Sequence, residues 1–93
     1  MDSQSAPLVS VITLNYNQAQ VTKEFLDSFR AVSYPNYEIL VCDMASKEDI
    51  SSVINVAEYP RTRLLKNEEN LGFAGGNNWG TSRLHSSIFI VKL

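Results

Sequence analysis

The chain has 93 residues, a net charge of −2, and a composition 44% hydrophobic and 19% charged. These are the proportions of one globular domain or a piece of one. They exclude an electrostatic footprint for nucleic acid or an anionic membrane surface. The single cysteine, Cys42, excludes an internal disulfide, and no apolar run approaches the ~18 residues of a membrane span.

Residues 1–7, "MDSQSAP", lack the basic and apolar parts of a signal peptide and are expected to be a disordered lead-in. "LVSVITL" (8–14) is a β-branched apolar run suited to a strand buried on both faces. "NYN" (15–17) ends it. From Gln18 to Val32, the residues Val21, Phe25, Phe29 and Val32, with Leu26 beside them, predict the apolar face of a helix. "SYPNY" (33–37) stops that helix, because Tyr34 before Pro35 is pushed out of the α region.

"YEILVCD" (37–43) predicts the second buried strand. Ser46 and Asp49 have the spacing of a capping box. Ile50, Val53, Ile54 and Ala57 predict the stripe of a second helix, closed by "EYP" (58–60). "RTRLLKN" (61–67) reads as a weaker third strand. "ENLGFAGGNNWG" (69–80) then holds all four glycines of the chain. A short helix is predicted over 77–87 and a fourth strand, "SIFIVKL", over 87–93. Strand and helix alternate throughout, which predicts an α/β fold: a parallel sheet of about four strands with helices on both faces.

The glycine cluster has two physical uses. Glycine permits positive φ in sharp loops, and it lets a backbone approach a ligand without a Cβ in the way. Neither the P-loop nor the dinucleotide spacing is present. Placement favours the ligand use. In an open parallel sheet, ligands bind beyond the carboxyl ends of the strands. Asn15, Tyr16 and Asn17 follow the first strand, Asp43 ends the second, and Asn67 leads from the third into the glycine loop. A tyrosine face suits stacking on a base. A carboxylate suits a base N–H or ribose hydroxyls, and loop amides suit sugar or phosphate. Taken singly, Asn15 and Asn17 also suit turns or caps, Tyr16 helix packing and Asp43 a helix cap. One cysteine and one histidine cannot make a zinc site. His85 is expected on the surface, Cys42 in the core of a protein from a reducing compartment, and Trp79 packed between the loop and the helix.

"VSVITLNYN", "YPNYEILVCDMAS" and "NEENLGFAGGNNWG" resemble, in order and spacing, the N-terminal half of family 2 glycosyltransferases. The form "NLGFAGGNN" is similar to the rhamnosyltransferase-like branch. The resemblance covers residues 8–93 and implies the Rossmann-like, three-layer GT-A fold and inverting sugar transfer from a UDP- or dTDP-linked donor. It implies a nucleotide-sugar site made by Asn15, Tyr16, Asn17, Asp43, Gly72, Phe73, Gly75, Gly76, Asn77 and Asn78. Where the family has Asp-Asp-Gly-Ser or Asp-Asn-Gly-Ser, this chain has Asp43-Met44-Ala45-Ser46.

The family's Asp-x-Asp motif, which binds Mg²⁺ or Mn²⁺, follows the fourth strand, and the general base lies further on. The chain is therefore expected to be the donor-binding half. It would have no catalytic residue, metal site or cofactor of its own and little transferase activity alone. The complete enzyme would use the metal and a saccharide or lipid-linked acceptor, in the cytoplasm or at the inner membrane face. The last strand is expected to be an uncovered edge through which the chain self-associates. A non-catalytic α/β nucleotide-binding or interaction module is the alternative. A receiver-like domain is disfavoured, because asparagines stand where its acids would be.

Overall fold

A computed structural model describes residues 6–83 and 89–92. Four strands, β1 (Val9–Asn15), β2 (Tyr37–Met44), β3 (Thr62–Asn67) and β4 (Phe89–Lys92), form one sheet in the order β3-β2-β1-β4. Every pairing is parallel. Two helices, α1 (Ala19–Ser28) and α2 (Gly72–Thr81), complete the α/β layers. β1 and β2 are central, and their unbroken apolar runs reflect burial on both faces. Ile12, Leu40 and Cys42 have no solvent exposure.

Alternation along the strands divides the core in two. Val11, Ile39 and Val41 meet Ala19 and Leu26 of α1, together with Ile50, Ile54 and Tyr59. Ile12, Leu40, Cys42 and Met44 meet Leu14, Leu65 and Trp79 on the α2 face. Of the expected lead-in, Ala6 and Pro7 lie among the described residues. The Tyr34 hydroxyl donates to the Pro7 carbonyl, and Asn36 Nδ2 donates to the Ala6 carbonyl at 2.9 Å.

Three elements differ from the sequence reading. The first helix ends at Ser28 and gives way to a 3₁₀ turn at Phe29–Ala31. Its buried stripe is Ala19, Thr22 and Leu26, with Phe25 and Phe29 at the flank. Val21 and Val32 are exposed. The polar Thr22 is buried in this stripe because its hydroxyl donates to Asn15 at the buried end of β1.

The predicted second helix is absent. Two 3₁₀ turns, Ile50–Ser52 and Val56–Glu58, take its place. The Asp49 and Asn55 side chains accept from the backbone N–H groups of Ser51 and Ala57, each two residues on. Such local bonds compete with the helical ladder. Ile50 and Ile54 still reach the core, whereas Ala57 is exposed. Ser46 makes no capping box with Asp49; its hydroxyl donates to Asp43.

The glycine segment is helix rather than loop. Gly75, Gly76 and Gly80 lie inside α2, and only Gly72 has a positive φ, 73°. Three interior glycines weaken a helix by about 2–3 kcal/mol relative to alanine. Contact with the sheet offsets this. A Cβ on Gly80 would stand 3.1 Å from Cys42 Sγ and 3.2 Å from Ile12 Cγ2. A Cβ on Gly76 would stand 3.0 Å from Leu14 Cδ1 and 3.2 Å from Met44 Sδ. These two glycines serve close approach to the protein's own strands. The remainder of the predicted 77–87 helix, His85 included, lies outside the described residues, as do Ser87, Ile88 and Leu93 of the predicted last strand.

Candidate functional site

The carboxyl ends of β1, β2 and β3 lie along one edge of the sheet, and each loop leaving it carries one residue at positive φ. These are Asn17 (51°), Ala45 (60°) and Gly72 (73°). Three sharp turns keep the three loops short against the edge.

The first two loops are laced together. Asn15 and Asp43 are register partners at the ends of β1 and β2. Asn15 Nδ2 donates to Asp43 Oδ1 at 2.8 Å and to Ser46 Oγ at 3.2 Å. Asn15 Oδ1 accepts from Thr22 Oγ1 of α1 at 2.7 Å. Ser46 Oγ donates to Asp43 Oδ1 and accepts from the Asn17 N–H at 2.9 Å. Asn17 Oδ1 accepts from the Lys47 N–H at 2.7 Å. Glu48 reaches across to accept from the Ala19 N–H at 2.8 Å, capping α1 from the neighbouring loop. Asn15 is fully buried and Asp43 is 5% exposed. Among the described residues, Asp43 Oδ2 accepts only the Ser46 N–H, at 3.3 Å, which leaves a lone pair for a further donor.

A cleft of about 270 Å³ opens on the other side of the β1 tip, lined by Leu14, Asn15, Tyr16, Gln18, Met44, Asn70 and Gly72. Tyr16 stands 45% exposed at its mouth. Asn70 Oδ1 accepts from the Gly72 N–H at 2.9 Å, turning the chain into α2. Met44 forms the floor from the α2 face of the sheet.

Of the residues predicted for the site, Asn15, Tyr16 and Gly72 line this cleft. Asp43 shares the edge but stands on the α1 face with Asn15. Asn17 turns toward the β2 loop. Gly75 and Gly76 lie inside α2, Gly76 buried against Leu14 and Met44. Asn78 is exposed, and its carbonyl accepts from Ser82 N and Thr81 Oγ1. The side chains of Phe73 and Asn77 lie outside the described set. Leu14, Gln18, Met44 and Asn70 line the cleft without having been predicted as site residues, and Thr22, Ser46 and Glu48 belong to the lacing. Two of these carried a local signal. Asp43 to Ser46 and Asn70 to Gly72 have the three- and two-residue spacings of side-chain-to-backbone turns. Gln18 and Glu48 carried none.

Two other cavities lie away from this edge. One of about 130 Å³ is bordered by Arg30, Tyr37, Tyr59 and Arg61. The other, about 250 Å³, is an apolar groove along Val9, Val11, Phe29, Val32, Tyr34 and Tyr37. Among the described residues, no three His, Cys, Asp or Glu side chains converge as a metal-binding group. No helix among them is long and apolar enough to cross a membrane.

Residues 10–91 match the family model described as "Glycosyl transferase family 2". A UDP-Glc:alpha-D-GlcNAc-diphosphoundecaprenol beta-1,3-glucosyltransferase, WfaP of Escherichia coli, is 34% identical over 71 residues, which are 76% of this chain and 28% of that protein. The putative glycosyltransferase EpsE of Bacillus subtilis is 34% identical over 77 residues, covering 80% of this chain and 28% of its own. In three dimensions the chain is similar to a mannosyltransferase from Pyrobaculum calidifontis, solved in complex with GDP-Man and Mn²⁺. That likeness has a TM-score of 0.78 at 28% identity and covers 87% of this chain and 25% of the mannosyltransferase. The chain thus spans little more than a quarter of the length of these relatives.

Proposed function

Since the chain belongs to glycosyl transferase family 2, we propose that it forms the nucleotide-sugar-binding half of an inverting glycosyltransferase. The observation that carries this reading is the open cleft at the β1 tip, lined by Asn15, Tyr16 and Gly72, with the Asp43 carboxylate at the same sheet edge on the α1 face. The Tyr16 ring offers a face for a base. Asp43 Oδ2 keeps a free lone pair for a base N–H or a ribose hydroxyl. The lacing of the two loops holds these groups in place before a ligand arrives, so little ordering cost remains on binding.

In the complete enzyme, an acceptor hydroxyl would attack the anomeric carbon, a general base would take the hydroxyl proton, and the nucleoside diphosphate would leave with the electrons of the broken C–O bond. The described residues do not assemble a divalent-cation site. A UDP- or dTDP-hexose, or a rhamnosyl donor, is the proposed donor class, with the rhamnosyl alternative resting on "NLGFAGGNN". A saccharide or lipid-linked saccharide is the proposed acceptor class, in the cytoplasm or at the inner face of the membrane. β4 is the outer strand of the described sheet, and its free edge is the proposed surface for self-association.

The test is titration of the protein with UDP, dTDP and GDP, followed by calorimetry and amide NMR. Roughly millimolar affinity, about 4 kcal/mol, is expected from base and ribose contacts alone, with shifts at Tyr16 and Asp43. Failure of every nucleotide to move those two residues would overturn the reading.

A further inference from the structure

We infer that Gln18 and Asn70, which both line the cleft, are the hydrogen-bonding contacts that fix a nucleotide beside Tyr16. This rests on the nucleotide-sugar reading above and assigns its polar contacts to Gln18, outside the quoted motifs, and to Asn70, which lies in "NLGFAGGNN" but not among the site residues that the resemblance implies.

The inference follows from the hydrogen bonds that polar groups at the edge already make. A group already bonded within the protein has little left to offer a ligand, because a new partner must replace an existing one. Both amide hydrogens of Asn15 are taken by Asp43 and Ser46, and its oxygen accepts from Thr22. The Ser46 hydroxyl donates once and accepts twice. Asn17 is bound to the backbone of Lys47 and Glu48 to that of Ala19. This set is scaffold for the cleft: among the described residues, Asn17 Nδ2 and a lone pair of Asp43 Oδ2 are left over, but neither residue lines the cleft.

The cleft-lining set is different. Gln18 occupies the position before α1, yet its side chain makes no capping bond, and it is exposed. Asn70 uses Oδ1 on Gly72, which leaves the donor Nδ2 free. Beside them stand Tyr16, half exposed, and the apolar floor of Leu14 and Met44. An apolar floor, one aromatic ring and a few free polar groups form the usual composition of a small-molecule site. A carboxamide presents a donor and an acceptor side by side, matching the paired N–H and C=O of a pyrimidinedione or a guanine edge. The Nδ2 of Asn70 can donate to a ribose or sugar oxygen.

The test uses UDP and GDP as separate probes on the wild-type protein and on Gln18→Ala, Asn70→Ala and Gln20→Ala. Gln20 is exposed on α1 and bonds only to Glu24, so its variant controls for surface change. Urea unfolding of each variant checks that the fold is kept. Gln18→Ala is expected to weaken the better probe about three- to tenfold, with Gln20→Ala unchanged and the Gln18 side-chain amide resonances shifting on titration. If a nucleotide shifts Tyr16 and Asp43 while Gln18→Ala and Asn70→Ala bind as wild type, this inference falls and the nucleotide reading stands. If neither probe shifts any residue of the edge, both fall.

Discussion

Asn15 and Asp43 stand opposite each other at the ends of adjacent parallel strands, 2.8 Å apart from amide nitrogen to carboxylate oxygen. Asn15 is fully buried and Asp43 nearly so. Asn15→Ala strips a donor from Asp43 and an acceptor from Thr22 inside the fold. A loss of about 2–3 kcal/mol is expected, because buried partners left unpaired each cost about 1–3 kcal/mol. Urea unfolding measures it, and a loss under about 0.5 kcal/mol would show that water replaces the bonds.

Ala45 holds a φ of 60° in the turn after β2. A residue with a Cβ is strained there by about 1–2 kcal/mol, while glycine adds about 0.5–1 kcal/mol of unfolded-chain entropy. Ala45→Gly is therefore expected to stabilise the protein modestly, by up to about 1 kcal/mol. A lower thermal midpoint for the variant would contradict the strain.

Gly80 and Gly76 separate by the stiffness of what they touch. A methyl at Gly80 meets Cys42 and the β-branched Ile12, both without exposure. Overpacking costs about 1–3 kcal/mol and helix propensity returns about 1 kcal/mol. Gly80→Ala is expected to lose about 1 kcal/mol. At Gly76 the neighbours are the ends of Leu14 and Met44, and methionine adapts readily. Gly76→Ala should come closer to neutral in chemical denaturation. The reverse order would mean that α2 shifts as a body.

The Tyr59 hydroxyl, and after it Lys23, holds the Asp27 carboxyl below its ordinary value near 3.8. A carboxyl with a lowered folded pKa contributes stability above its unfolded value and loses it as the pH falls through the folded one. Tyr59→Phe keeps the ring and removes the main cause. Its destabilisation should be full at neutral pH and fade as the pH drops below about 4. Denaturation midpoints across pH check this; a constant difference would assign the effect to packing.

β4 pairs with β1 on one side only, among the described residues. An open strand edge is a template for a second chain. Sedimentation of the 93-residue chain is expected to show concentration-dependent dimers, removed by Ile90→Lys. A stable monomer across micromolar concentrations, indifferent to the substitution, would count against pairing through this edge.

The doubled apolar runs of β1 and β2 and the alternation of strand with helix made the parallel sheet legible, because burial on both faces leaves no polar positions in a strand. The tips were legible too, since polar residues cannot continue such a run. Tertiary structure decided the rest. The glycines read as a loop because their propensity says so, and only contact with Ile12, Leu14, Cys42 and Met44 holds them in a helix. Asn55 and Asp49 overrode an apolar stripe by bonding their own backbone. At the candidate site, sequence marks which residues are polar, but only the three-dimensional pairing tells Asn15, whose side-chain groups are bonded, from Gln18, whose side chain caps nothing. Hydrogen-bond satisfaction is a property of neighbours brought together from distant parts of the chain, and a single sequence does not carry it.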